Sequence, residues 1–156
     1  MNLREATLHD IPQLLQLEQA VIEAERPFNA HIKPSGVKYY DLEALITQPT
    51  AQLLVMDSPQ VPGSDSRIVA TGYARIDASR QPFVHQQHGY LGFMYVVPEH
   101  RGQGLNKTLL NALNNWCREQ GLQTVYLDVY SNNNSAIRAY EKAGFVANMV
   151  EMKMDL

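Results

Sequence analysis

Apolar positions along this chain change period several times, and each change predicts an element. Ile11, Leu14, Leu15, Val21 and Ile22 recur at helical spacing, with Asp10 as a cap, Pro12 tolerated in the first turn, Gln13 in capping-box position and Pro27 as the stop. A helix to about Glu25 is therefore expected, preceded by a short strand over Leu3 to Ala6. Arg26 to Gly36 reads as irregular, and Lys38 to Thr47, carrying Tyr39, Leu42, Leu45 and Ile46, as a second short helix. Gln52 to Asp57 and Ile68 to Ile76 read as an antiparallel strand pair joined by the turn-forming run Ser58 to Ser66. Tyr90 to Val97 is apolar or aromatic on both faces, as befits a strand in the middle of a sheet. Leu105, Leu109, Leu110, Leu113, Trp116 and Cys117 repeat at helical intervals up to a stop at Gly121. Thr124 to Tyr130 then alternates Val125, Leu127 and Val129 with Tyr126, Asp128 and Tyr130, as a half-buried strand does. A helix begun at Asn132 to Ser135 and ended at Gly144, followed by a strand over Val146 to Asp155, closes the pattern.

At 156 residues the chain suits one domain, residues 1–156, with a core of its own. A net charge of −3 gives no reason to expect a nucleic-acid or membrane partner. The single cysteine, Cys117, falls on the apolar helix face and reads as core. It cannot form an internal disulfide, and with no long apolar run at the N-terminus the expected setting is cytoplasmic. His85 and His88 invite a metal reading, but further ligands are not legible beside them and no metal is expected.

The chemistry concentrates between the central strand and the helix after it, at Val96-Val97-Pro98-Glu99-His100-Arg101-Gly102-Gln103-Gly104-Leu105-Asn106-Lys107-Thr108. Pro98 ends the strand, two glycines free the backbone, and a helix begins. Such a junction gathers unpaired N–H groups at the positive end of a helix dipole, the arrangement that receives a pyrophosphate. A Walker loop does not fit, because Asn106 and Arg101 stand where its glycines belong. A dinucleotide fingerprint finds Gly102 and Gly104 but Lys107 in third place, without repeating βαβ units. What remains is R-x-x-G-x-(G/A), with Asn106 replacing the small final residue.

That string resembles the acyl-CoA loop of the GNAT superfamily of N-acetyltransferases. Asn133-x-x-Ala136-Ile137-x-x-Tyr140-Glu141-x-x-Gly144-Phe145 resembles the same family's C-terminal motif, so the likeness covers Tyr90 to Phe145 with two motifs in the right order. It implies an α/β (α+β) fold of one domain: a mixed, mostly antiparallel sheet with a splayed parallel central pair, flanked by helices. It further implies acetyl-CoA as cosubstrate, with Met94, Tyr95 and Val96 beside the pantetheine and Arg101, Gly102, Gln103, Gly104, Leu105, Asn106 and Lys107 around the pyrophosphate. Asn133 is expected at the cofactor arm or as a helix cap.

The resemblance places Tyr140 near the thioester sulfur, as general acid for the leaving thiolate. For the base, Asp128 leads through its motif offset, with His88 and Glu25 in reserve. The irregular stretch Arg26 to His31 suits an acceptor-pocket wall or an ordinary surface connection. The expected acceptor is a small-molecule amine or a peptide N-terminus. The rival reading is a catalytically silent acyl-CoA-binding or regulatory module of the same fold. A homodimer, common among similar proteins, stays open, since no interface is legible in the sequence.

Overall fold

The chain folds around a five-stranded sheet in the order β1-β2-β3-β4-β5, seen in a computed structural model that describes residues 1–58 and 67–156. The strands are β1 (Asn2–Glu5), β2 (Ala51–Asp57), β3 (Ile68–Ala78), β4 (Gln87–Val96) and β5 (Val125–Tyr126); the helices are α1 (Ile11–Glu25), α2 (Leu42–Thr47), α3 (Leu105–Glu119) and α4 (Asn134–Lys142). The first four strands pair antiparallel, whereas β5 runs parallel to β4. The turn expected over Ser58 to Ser66 lies, from residue 59 on, outside the described residues.

Both faces of the sheet are covered, which is why Ile68 to Ala74 of β3 and Tyr90 to Val96 of β4 are mostly apolar. At Gly72 the sheet meets Met94 and Leu113 of α3, while the neighbouring Tyr73 turns to the other face and packs edge-on against Tyr40. Leu109, Leu110, Leu113 and Cys117 are at most 1% exposed and form the α3 side of the core. On the other face Glu18, fully buried in α1, accepts the Tyr39 and Tyr40 N–H groups at 2.8 Å each. That pair of bonds fixes the segment before α2 against α1 and so sets where Tyr39 and Tyr40 stand.

Helix ends follow the local chemistry. After α3, Gly121 takes φ +77 while its N–H reaches Arg118 O and the Leu122 N–H reaches Cys117 O, a Schellman stop. The same stop recurs after α4, where the Gly144 N–H reaches Glu141 O and the Phe145 N–H reaches Tyr140 O. There the Phe145 ring contacts Tyr140, the apolar closure this motif favours.

Several expectations need correction. Asp10 precedes α1 but makes no side-chain cap bond to it; its carboxylate takes the Thr7 N–H at 2.7 Å and two guanidinium bonds from Arg4 instead. Gln13, one helical turn on, accepts the Ile68 N–H and ties α1 to β3. The second helix starts at Leu42, not Lys38, because Glu18 takes the Tyr39 and Tyr40 N–H groups outside any helix and Asp41 caps the turn by accepting the Ala44 N–H. The central strand begins earlier, at Gln87. Of Thr124 to Tyr130 only Val125 and Tyr126 pair, since the chain then diverges from β4. Val146 to Asp155 forms no strand, because none of its backbone groups finds a partner among the described residues.

Arg4 joins Asp10 and Asp57 across β1, α1 and β2 at 2.8 and 2.7 Å. The Arg4 guanidinium holds the Asp10 carboxyl at about 2, below its ordinary 3.8, and is itself raised by the two acids. Asp10 is 6% exposed, so solvent screens the pair only partly. A depressed carboxylate stabilises the fold above its unfolded-state pKa and ceases to as pH falls through the folded one. About 2 kcal/mol should therefore be lost between roughly pH 4 and pH 2. Urea melts across that range check it, with Asp10→Asn expected to flatten this part of the curve.

Candidate active site

Strand β4 ends at Val96, a single 3-10 turn covers Pro98 to His100, and the chain reaches α3 through two glycines in left-handed conformation, Gly102 at φ +75 and Gly104 at φ +78. Gly104 is the N-cap residue of α3 and offers no side-chain oxygen, so the N–H groups of the first turn face outward without a capping acceptor. No protein atom lies within 4 Å of where a Cβ would sit on either glycine, so the space before them is open. Arg101 turns back from this mouth: its Nε donates to Val96 O at 3.1 Å and its guanidinium lies over the Tyr95 ring. It braces the loop against the end of β4. Gln103 and Lys107 are exposed, Leu105 is buried as the anchor of the turn, and Asn106 is half-buried.

Strand β4 carries a feature the sequence reading missed. Phe93, a non-glycine residue, takes φ +53, and the register with β3 breaks between Thr71 and Tyr73, so that Phe93 and Met94 stand opposite Gly72. This is a β-bulge, which leaves an extra residue outside the ladder and sharpens the local twist. It bends β4 shortly before Tyr95 and Val96, the residues expected beside the pantetheine. Gly92 in mid-strand was the available signal, because a glycine inside a strand marks a bulge or a close approach. Here it marks both: a Cβ on Gly92 would meet three atoms of the Tyr73 phenol within 2.7 Å. Gly92→Ala should displace that ring and lower stability by about 1–3 kcal/mol, to be read from denaturant melts.

Past Tyr90 and Tyr126, just before the bulge, β4 and β5 separate. At the paired end, Ser79 Oγ lies 2.6 Å from His85 Nδ1 and 2.9 Å from His88 Nδ1, and His85 Nε2 lies 3.1 Å from the Tyr126 hydroxyl. The two histidines thus belong to a hydroxyl network. Among the described residues no group of three His, Cys, Asp or Glu is placed to hold a metal. Across the gap the Tyr90 hydroxyl donates to Asp128 Oδ2 at 3.0 Å, and Arg75, paired with Asp77, covers the Tyr90 ring at 4.7 Å.

The wall opposite is aromatic. Tyr40 stacks on Phe93 at 4.4 Å and meets Tyr73; Phe28 stacks on Tyr130, whose hydroxyl accepts the Asn29 amide at 3.0 Å. The Arg26 to His31 stretch thereby reaches Tyr130, four residues past β5, which its irregular sequence could not show. Glu25, the last residue of α1, is half-buried and accepts a hydrogen bond from Tyr39; desolvation nonetheless raises its carboxyl pKa. Burial pushes the Tyr140 phenol up to about 12, with the Glu25 charge adding to it. Tyr140 and Glu25 therefore feel one another, although they lie far apart in sequence. Among the described residues the Tyr140 hydroxyl has no hydrogen-bond partner. Asn133 caps α4, its Oδ1 accepting the Ala136 N–H at 3.3 Å. Cys117 is 1% exposed, and burial lifts its thiol to about 11, the state of an unreactive core cysteine.

Comparison with known proteins places this geometry. The sequence pattern described as "Acetyltransferase (GNAT) family" matches residues 19–145. The chain is 30% identical over 139 residues to mycothiol acetyltransferase of Paenarthrobacter aurescens, covering 84% of this chain and 40% of that protein. It is 31% identical over 83 residues to the L-amino acid N-acyltransferase MnaT of Escherichia coli, covering 53% of this chain and 48% of that one. In both cases the match spans less than half the length of the relative. Among solved structures, a tetramutant of the BH1408 protein of Bacillus halodurans superposes with a TM-score of 0.85 at 22% identity over 100% of both chains. A Clostridium acetobutylicum protein described as a "predicted acetyltransferase with acetyl-CoA" gives 0.73 at 18% identity, over 99% of this chain and 95% of that one. At such identities these structures speak for the fold. Family pattern, motif order and sheet topology agree, and the chain belongs to the GNAT acetyltransferase family.

Proposed function

We propose that the protein is an acetyl-CoA-dependent N-acetyltransferase that moves an acetyl group to a primary amine by direct attack, through a ternary complex and without an acyl-enzyme. The observation that carries this is the start of α3 at the end of β4, capped by Gly104 with no side-chain acceptor, beside the gap where β5 leaves it. The loop from Arg101 to Lys107 receives the pyrophosphate through backbone N–H groups, and Met94, Tyr95 and Val96 flank the pantetheine. Asn133, its oxygen spent on the α4 cap, keeps its amide N–H groups for the cofactor arm.

The amine nitrogen attacks the thioester carbonyl carbon, the N–C bond forms, and the C–S bond breaks. Asp128, directly or through water, takes one proton from the incoming ammonium before attack. The second leaves the adduct nitrogen as the amide forms and passes through water to the departing sulfur, to which the Tyr140 hydroxyl donates a hydrogen bond; Glu25 is the second carboxylate in reach of this chemistry. The inert Cys117 supports a mechanism without a covalent intermediate. An aromatic wall edged by Glu25 and Asp128 suits a cationic group, such as a small-molecule amine or a peptide N-terminus.

The test is release of free thiol from acetyl-CoA against a panel of amines, beside melting curves. At a hundredfold excess over its dissociation constant acetyl-CoA should stabilise the fold by about 2.7 kcal/mol, a rise of several degrees, and ATP should not. Stabilisation without turnover on any amine would favour a silent acyl-CoA-binding module; no stabilisation would remove acetyl-CoA from the function.

A further inference from the structure

Where the β3–β4 hairpin closes, two imidazoles point at one hydroxyl. Ser79 Oγ lies 2.6 Å from His85 Nδ1 and 2.9 Å from His88 Nδ1, and His85 Nε2 lies 3.1 Å from the Tyr126 hydroxyl. The Ser79 N–H donates to Gln86 O at 2.8 Å, which pins the serine in the hairpin, and the His88 and Tyr126 rings meet edge-on at 4.8 Å. All four side chains are half-buried. The steps proposed above use none of them.

The proton count of this network sets what it presents to a ligand. A serine hydroxyl has one proton, so between two neutral imidazoles it donates to one Nδ1 and accepts from the other. If Ser79 donates to His85, the His85 proton sits on Nε2 and goes to the Tyr126 oxygen, which leaves the Tyr126 O–H to donate outward. His88 then carries its proton on Nδ1, and its Nε2 is a bare acceptor. If Ser79 donates to His88 instead, His88 Nε2 becomes a donor, while the Tyr126 O–H is spent on His85 Nε2 and the phenol oxygen accepts. The two arrangements exchange roles, yet each turns one donor and one acceptor outward from Tyr126 and His88. His88 Nε2 has no other partner among the described residues. Asp77, across the ladder from His88, is paired with Arg75 at 2.8 Å, so it leaves no unbalanced charge beside the two rings.

We infer that His88 and Tyr126 recognise a hydroxyl group on the acceptor, so that the amine this protein acetylates is an amino alcohol. A hydroxyl donates and accepts at one atom, and rings in edge contact bring both outward groups to one small ligand. The inference rests on the acetyl-transfer reading. Tyr126 precedes Asp128 by two residues, His88 precedes Tyr90 by two, and the Tyr90 hydroxyl is bonded to Asp128. Two residues of strand span about 7 Å, which sets the hydroxyl about five bonds from the reacting nitrogen.

Thiol release is measured with straight-chain amino alcohols of about four to five carbons, each beside the n-alkylamine in which a methyl group replaces the hydroxyl. The amino alcohol should show about tenfold higher kcat/KM, because the alkyl analogue leaves the donor and acceptor unpaired, and Tyr126→Phe should bring that ratio to about one. Equal values in the unmodified protein, or a preference that survives Tyr126→Phe, overturn the inference. Imidazole nitrogen NMR gives a second reading that needs no turnover. The network requires complementary tautomers, His85 protonated on Nδ1 to the extent that His88 is protonated on Nε2, and the amino alcohol rather than the alkylamine should shift the His88 Nε2 signal. A majority of Nε2–H in both histidines, or equal shifts with both amines, also overturns it. If no amine is turned over while these signals behave as expected, acetyl transfer falls and the hydroxyl site stands.

Discussion

Tyr140→Phe should lower kcat about a hundredfold while leaving the Michaelis constant for acetyl-CoA nearly unchanged. The phenol has no protein partner among the described residues, so its removal disturbs no internal bond, and the ring keeps its contact with Phe145. Charge on the leaving sulfur develops mainly in the transition state, so an interaction with it appears in kcat rather than in binding. Burial and Glu25 hold the phenol at about 12, which makes it a reluctant acid but one that is protonated at any working pH. Complete proton transfer to a thiolate, near 8.5 for a free cysteine thiol, is uphill from such a group. Its effect is then that of a strong hydrogen bond to the developing charge, at the lower end of the roughly 10²- to 10⁴-fold range for general acids. The sign for pH follows: the active form of Tyr140 is the protonated one, lost only as pH rises through about 12. An alkaline fall in kcat below about pH 10 must come from another group. Steady-state thiol release with an accepted amine decides it, and an unchanged kcat in Tyr140→Phe would remove the residue from the chemistry.

What the sequence revealed and what it hid divide along a physical line. Periodicity reports which side of an element is apolar, so α1, α3, the β2–β3 pair and the body of β4 could be read to within a few residues of their ends. Glycine chemistry was equally legible where it acts locally, as in the stops at Gly121 and Gly144 and the left-handed Gly102 and Gly104. Residues whose meaning depends on distant chain were not legible. Glu18 looks like a polar residue of an amphipathic helix, yet it is buried to receive two N–H groups about twenty positions later. Glu25 could be named from the sequence only as a reserve base at a helix end, and folding brings it near Tyr39 and Tyr140. The strand expected over Val146 to Asp155 failed differently. Its alternation is real, but alternation reports only that one face is apolar and says nothing of a neighbouring strand to pair with.

Gly104→Val should weaken CoA binding at least tenfold. At φ +78 an L-residue costs about 1–2 kcal/mol, and a β-branched one is a more severe outlier. If the loop kept its shape, the free and bound forms would carry the same strain; stability would fall by that amount and affinity would not change. The valine side chain also projects into the open space before the first turn of α3, where the pyrophosphate is proposed to sit. The loop then either relaxes away from the left-handed conformation, turning its N–H groups aside, or crowds the anion; both raise the dissociation constant, and about 1.4 kcal/mol suffices for tenfold. Gly104→Ala carries the strain with less bulk and should fall between. Asn106→Gly is the control: it stands in the first turn, where its N–H rather than its side chain is the proposed donor, so affinity should be kept at a modest cost in stability. Calorimetric titration with CoA, beside a melting curve for each variant, separates the terms. Full affinity in Gly104→Val would take the pyrophosphate away from this loop, whereas equal and severe losses in Gly104→Val and Asn106→Gly would make the asparagine side chain itself the ligand of the cofactor.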